Sequence, residues 1–183
     1  MLGVSDDVSG QAGRYQRSAA GMVGAMIVLL AVIVAFVVFR DLNRNDPPSP
    51  VREVGYSQDA AFAEESASFE VLSPPSLPPG WRATTVRYVP GAADRWHLGM
   101  LTAEDRYVGL EQSTASAESM VEDHVDPNAT EGDPVTVDGA EWATWRDEGG
   151  DLALVREDAG TTTLVVGHEV PVDELAAFVA SLR

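Results

Sequence analysis

Three histidines, His97, His124 and His168, are the only imidazoles in the sequence, and their neighbours limit the chemistry each can do. His124 stands among Glu122, Asp123 and Asp126, so a divalent cation held by His124, Asp126 and Asp133 could activate water for hydrolysis. An acidic helix end facing solvent is the other reading of the same residues. No HExxH pattern places two histidines on one helical face, and no cysteine is present to complete a zinc site. The string from Asp126 to Asp133 opens like a calcium loop, with oxygen donors at Asp126, Asn128 and Thr130. Its sixth position is Glu131, where glycine makes the sharp turn, and its twelfth is Val137, where a bidentate glutamate is required. An irregular acidic site or a solvated loop remains. His97 sits between Trp96 and Leu98, so strand alternation would send it to the face opposite Trp96 as a hydrogen-bonded structural residue.

No GxSxG elbow, P-loop or GxGxxG is present, which removes the sequence support for elbow hydrolases, NTPases and dinucleotide enzymes, and no cofactor is expected. Ser113, Ser116 and Ser119 have no histidine at a telling spacing. The tryptophans Trp81, Trp96, Trp142 and Trp145 are the candidate ligand or partner face, because exposed aromatic platforms bind partners and apolar ligands. Filling of a small core is the alternative role. Trp142 and Trp145 are three apart, so a regular strand sends them to opposite faces.

The elements that must carry these residues follow from the patterning of the 183-residue chain. Ala19 to Phe39 is uncharged, and at about 1.5 Å per residue it covers the ~30 Å hydrocarbon core of a bilayer. The run ends in Phe36, Val37, Val38 and Phe39 rather than in small residues before a cut, so a retained anchor is expected and not a cleaved signal peptide. Arg14 and Arg17 on one side nearly balance Arg40 and Arg44 on the other, and the short tail 1–18 is the easier side to leave in the cytoplasm. The expected topology is therefore a single-pass cell-membrane protein with its N-terminus inside and its C-terminal domain outside. Residues 40–56, with Pro47, Pro48 and Pro50, read as a semi-rigid spacer. Formal net charge is -17, and a surface of that sign repels phosphate backbones and anionic head groups, which excludes nucleic acid as a partner.

Residues 57–183 read as one extracytoplasmic α+β domain. A helix capped by Ser57 runs to about Ser66. Strands are expected near 69–72, 82–89, 95–102, 106–112, 135–138, 141–147, 151–156 and 161–167, most joined by short turns, which gives a mainly antiparallel, meander-like sheet. A weaker helix spans about 115–124. The closing helix carries Val172, Leu175, Ala176, Val179 and Leu182 on one stripe, which should pack on the sheet.

The strings LPPGW (Leu77 to Trp81), WHLG (Trp96 to Gly99), LEQS (Leu110 to Ser113) and GTTTLVVG (Gly160 to Gly167) resemble, in this order, the DUF4245 family of actinobacterial membrane-anchored proteins. The resemblance covers about residues 20–183. It implies a cell-envelope protein of GC-rich Gram-positive bacteria with its domain outside, and it implies no catalytic residues. The residues and the resemblance together point to a membrane-tethered binding or interaction module, in contact with the bilayer through 19–39 and with an envelope protein or cell-wall ligand through its domain. A metal-assisted hydrolase using the acidic 122–133 region is one alternative. A structural subunit of a membrane complex, associating through the small pair Gly21 and Ala25, is another.

Overall fold

The computed structural model describes residues 19–42 and 52–183, and the chain divides into two units between residues 49 and 50. The first unit contributes helix α1, Ala19–Leu42, an apolar segment whose described side chains, residues 22–36, are all exposed. Among the described residues no helix is long and apolar enough to cross a membrane. The ends of the expected span, Ala19 and Phe39, lie outside the described side chains, and the tail 1–18 and residues 43–51 of the spacer lie outside the described residues.

The second unit is an α+β domain. Its elements are α2 (Ser57–Ser66), β1 (Arg82–Val89), β2 (Arg95–Leu101), β3 (Tyr107–Ser113), α3 (Ala117–His124), β4 (Thr130–Val137), β5 (Ala140–Arg146), β6 (Asp151–Asp158), β7 (Thr161–His168) and α4 (Val172–Ala180). All seven strands join one antiparallel sheet in the order β1-β2-β3-β7-β6-β5-β4. Two meanders thus meet at the β3–β7 pair. The chain leaves β3 near the centre, passes through α3 to the far edge, and returns strand by strand. Tight hairpins make the return possible: Asp138 and Gly139 join β4 to β5, and Ala159 and Gly160 join β6 to β7, all four with positive φ, as the hairpin turns that match strand twist require.

Each face of the sheet buries its own core. On one face α2 and α4 cover Trp96, Leu98, Leu110, Trp142, Leu154 and Val165, with Leu175, Phe178 and Val179 of α4 packed against them. On the other, Met120 and Val121 of α3 pack on Ala153, Val155, Leu164 and Val166. α3 begins with a side-chain cap, the Ser116 hydroxyl accepting from the Ser119 amide at 3.3 Å. It lies over β6 and β7 and leaves the β1–β3 half of that face uncovered by helix.

Three expected boundaries move. Residues 69–72 form no strand; they belong to an extended strap whose backbone groups are taken by side chains and the C-terminus instead of a neighbouring strand. Asp94 accepts from the Ser68 amide at 2.8 Å, Gln112 accepts from the Leu72 amide at 2.7 Å, and the Trp96 indole donates to the Leu72 carbonyl at 3.1 Å. Ser73 and Arg183 exchange two backbone bonds. The loop expected through Asp133 is partly strand, because β4 starts at Thr130 and bulges between Gly132 and Val135, where Pro134 has no amide to give. Val54 and Tyr56, expected in the spacer, are half-buried against the core, and the Tyr56 hydroxyl donates to the Pro74 carbonyl at 2.8 Å.

Candidate functional site

On the uncovered half-face, strand alternation lines up Thr85, Arg87 and Val89 of β1, Arg95, His97 and Gly99 of β2, and Tyr107, Gly109 and Glu111 of β3. The register sets them in cross-strand rows: Val89 beside Arg95, then Arg87, His97 and Glu111, then Thr85, Gly99 and Gly109. His124, at the last turn of α3, closes the side toward the covered half. The result is a cleft of about 420 Å³ lined by Thr85, Arg87, Val89, Arg95, His97, Tyr107, Glu111 and His124.

Gly99 and Gly109, both buried, face each other beneath two of the lining rings. A methyl group at Gly99 would lie 3.2 Å from His97 Nε2 and 3.4 Å from Thr85 Cβ, and one at Gly109 would lie 2.8 Å from the Tyr107 hydroxyl. The imidazole of His97 and the phenol of Tyr107 therefore fold back over backbone that no side chain occupies. Glycine within a strand weakens it, and these two are used where other groups approach the backbone closely.

Glu111 is the buried charge of the site, 6% exposed. Its Oε1 accepts from His97 Nδ1 at 2.5 Å, and His124 Nδ1 stands 3.8 Å from the same oxygen. The bond fixes the His97 ring with Nε2 packed over Gly99. Burial, with the negative charges of Glu111 and then Asp151 behind it, pushes the Tyr107 hydroxyl up to about 12, so it stays a neutral donor at physiological pH. Arg82 pairs with Asp105 and Arg156 with Asp158, whereas Arg87 and Arg95 make no ion pair or hydrogen bond among the described residues. Two free forks thus flank His97 in a domain of opposite overall charge.

Gly109→Ala tests this packing. The new methyl displaces the Tyr107 hydroxyl outward, a small motion of a side-chain tip, and ultraviolet titration should show the phenol ionising closer to its ordinary value of 10.0. In the parent the folded state holds this proton more tightly than the unfolded chain, so stability is intact below pH 10.0 and is lost as pH climbs through about 12. The variant should lose less over that window. An unchanged titration would place the hydroxyl elsewhere.

The residues singled out from sequence fall in several places. His124 enters the cleft, while Asp126 accepts from the Asn128 amide at 2.7 Å in a local turn, and Asp133 lies exposed on edge strand β4. Among the described residues no group of three histidine, aspartate or glutamate side chains is placed to hold a metal ion. His97 does face away from Trp96. His168 bonds Asp151 at 2.8 Å next to the Tyr107 end of the cleft, though neither residue lines it. Trp96 is fully buried, Trp142 is 5% exposed in the same core, and Trp145 packs on the opposite face beside α3. Trp81 stacks on Phe178 with ring centroids 5.4 Å apart. The four share no exposed surface. Arg87, Arg95, Tyr107 and Glu111 escaped the sequence reading, although two signals existed: a glutamate within the apolar strand YVGLEQS, and glycines inside two adjacent strands.

Fold and site together define an α+β domain with one seven-stranded antiparallel sheet, two separate cores, and a polar cleft on the half-face that α3 leaves open. The chain belongs to the DUF4245 family, described as a protein of unknown function, whose sequence profile matches residues 14–182. No curated protein matches the sequence.

Proposed function

We propose that the protein is a membrane-tethered binding module: the apolar run Ala19–Phe39 anchors it, and the domain, outside the cell, takes up a ligand in the cleft over Gly99 and Gly109. The observation that carries this reading is the cleft itself, where seven polar side chains from three strands and a helix converge. Its volume, about 420 Å³, falls in the range of small-molecule sites, roughly 300–1,000 Å³. The uncharged length of the N-terminal run supports the tether, and the acidic surface supports a domain kept off anionic head groups. The hydrolase reading through His124, Asp126 and Asp133 has no comparable support, since those residues serve three different surroundings.

Two measurements test the proposal. Protease added outside intact cells, with outer layers permeabilised, should digest the domain; complete protection would overturn the topology. Full-length protein in nanodiscs of neutral lipid, screened by ligand-observed NMR against acidic, basic and neutral small molecules, should bind some of them. Gly99→Leu, whose side chain would fill the space between His97 and Thr85, should abolish that binding with the fold intact by circular dichroism. Binding untouched by Gly99→Leu, or none from the panel, would remove the cleft as the site.

A further inference from the structure

We infer that the ligand of this cleft carries an oxyanion, a carboxylate or phosphate group, at one end, which Arg87 and Arg95 hold, with its body lying over His97 toward Thr85 and Tyr107. The inference rests on the binding reading above. Arg87 and Arg95 occupy adjacent rows of neighbouring strands on one face, so both forks reach the same end of the cleft. Guanidinium forks match the geometry of carboxylate and phosphate and bind them bidentately. Arg82 and Arg156 each pair with an aspartate, and Arg106 and Arg183 bond backbone carbonyls; the cleft pair has neither kind of partner among the described residues. The one carboxylate lining the cleft, Glu111, bonds His97 and lies 3.8 Å from His124, and among the described residues it pairs with neither arginine.

The far end suits a different chemistry. Gly99, in the row of Thr85, is four positions on from Arg95, about 13 Å of strand, so a molecule reaching from the arginines to the Thr85 end is larger than a bare ion. There it meets the Tyr107 hydroxyl as a donor, the Thr85 hydroxyl, and the His97 ring. A short hydroxylated chain or ring bearing a terminal phosphate or carboxylate satisfies both ends. A soluble metabolite and a lipid head group can both present that chemistry, and the cleft recognises what they share.

The test uses full-length protein with labelled arginine side chains in nanodiscs of neutral lipid, followed by NMR of the guanidinium signals. Glycerol 1-phosphate is the probe, choline the cationic control, and a parallel preparation replaces part of the lipid with phosphatidylglycerol. Glycerol 1-phosphate should shift Arg87 and Arg95 saturably, choline should not, and Arg87→Gln or Arg95→Gln should each weaken binding roughly tenfold or more, as loss of a charged hydrogen-bonding partner does. Shifts at both arginines in the phosphatidylglycerol preparation alone would support the oxyanion and assign its source to lipid. Glycerol 1-phosphate binding that survives the double substitution, or absence of shifts with both sources, would overturn the inference. If neutral or cationic molecules instead bind, are blocked by Gly99→Leu and ignore the arginine substitutions, the cleft stands as a binding site and the oxyanion assignment falls.

Discussion

Trp96→Ala should destabilise the domain by about 3–5 kcal/mol, a large share of the ~5–15 kcal/mol that holds a typical domain folded. Trp96 is completely buried, and its indole both fills the α4-side core and donates to the Leu72 carbonyl, so truncation opens a cavity and releases the middle of the strap. Urea denaturation of the full-length protein, followed by domain circular dichroism, measures the loss. Trp81→Ala is the comparison: Trp81 is only partly buried and stacks on Phe178 from one side, so its removal should cost markedly less. Equal midpoints for the two variants would show that the strap and the core beneath it do not depend on Trp96.

Val179→Asp should be comparably severe, at about 3–5 kcal/mol, because it places a carboxylate in the core that α4 closes. Val179 is 6% exposed. Arg156 and Arg183 line the small cavity beside it, but Arg156 pairs with Asp158 and Arg183 bonds the carbonyls of Ala180 and Leu182. Ala177→Asp, on the exposed side of the same helix, should change the melting temperature little. The gap between the two variants should narrow as pH falls through the carboxyl range, since the protonated form of a buried aspartate is the cheaper one to bury. Coincident melting curves at neutral pH would show that α4 does not pack as described.

Most of the secondary structure was legible because each signal was local. The apolar spacing of α4 marks its buried stripe, and the three-residue separation of Trp142 and Trp145 places them on opposite faces. What could not be read is which strands become neighbours at long range. Nothing near β3 or β7 announces that Leu110 will lie opposite Val165. The strap was misread as a strand because extended backbone and alternating side chains look the same whether the amides bond a strand or the side chains of Asp94 and Gln112. Phe178, 1% exposed, belongs to the stripe of α4 by its spacing from Leu175 and Leu182, and Trp81 from a distant loop stacks on it. The cleft was hidden because Arg87, His97 and Glu111 come from three strands and meet only through register.

The pairing of β3 with β7 also sets a timetable for the newly made chain. β1, β2 and β3 can form their hairpins as soon as Ser113 is available, yet the outer edge of β3 has no partner until residues 161–168 have been made. At about 5–20 residues per second of synthesis that delay lasts roughly 3 to 11 s. During it, Leu110, Glu111 and Gln112 sit on an open strand edge, where a second nascent copy could add its own strand. Glu111 places a charged side chain in the middle of that strand, the kind of residue that discourages edge-to-edge pairing.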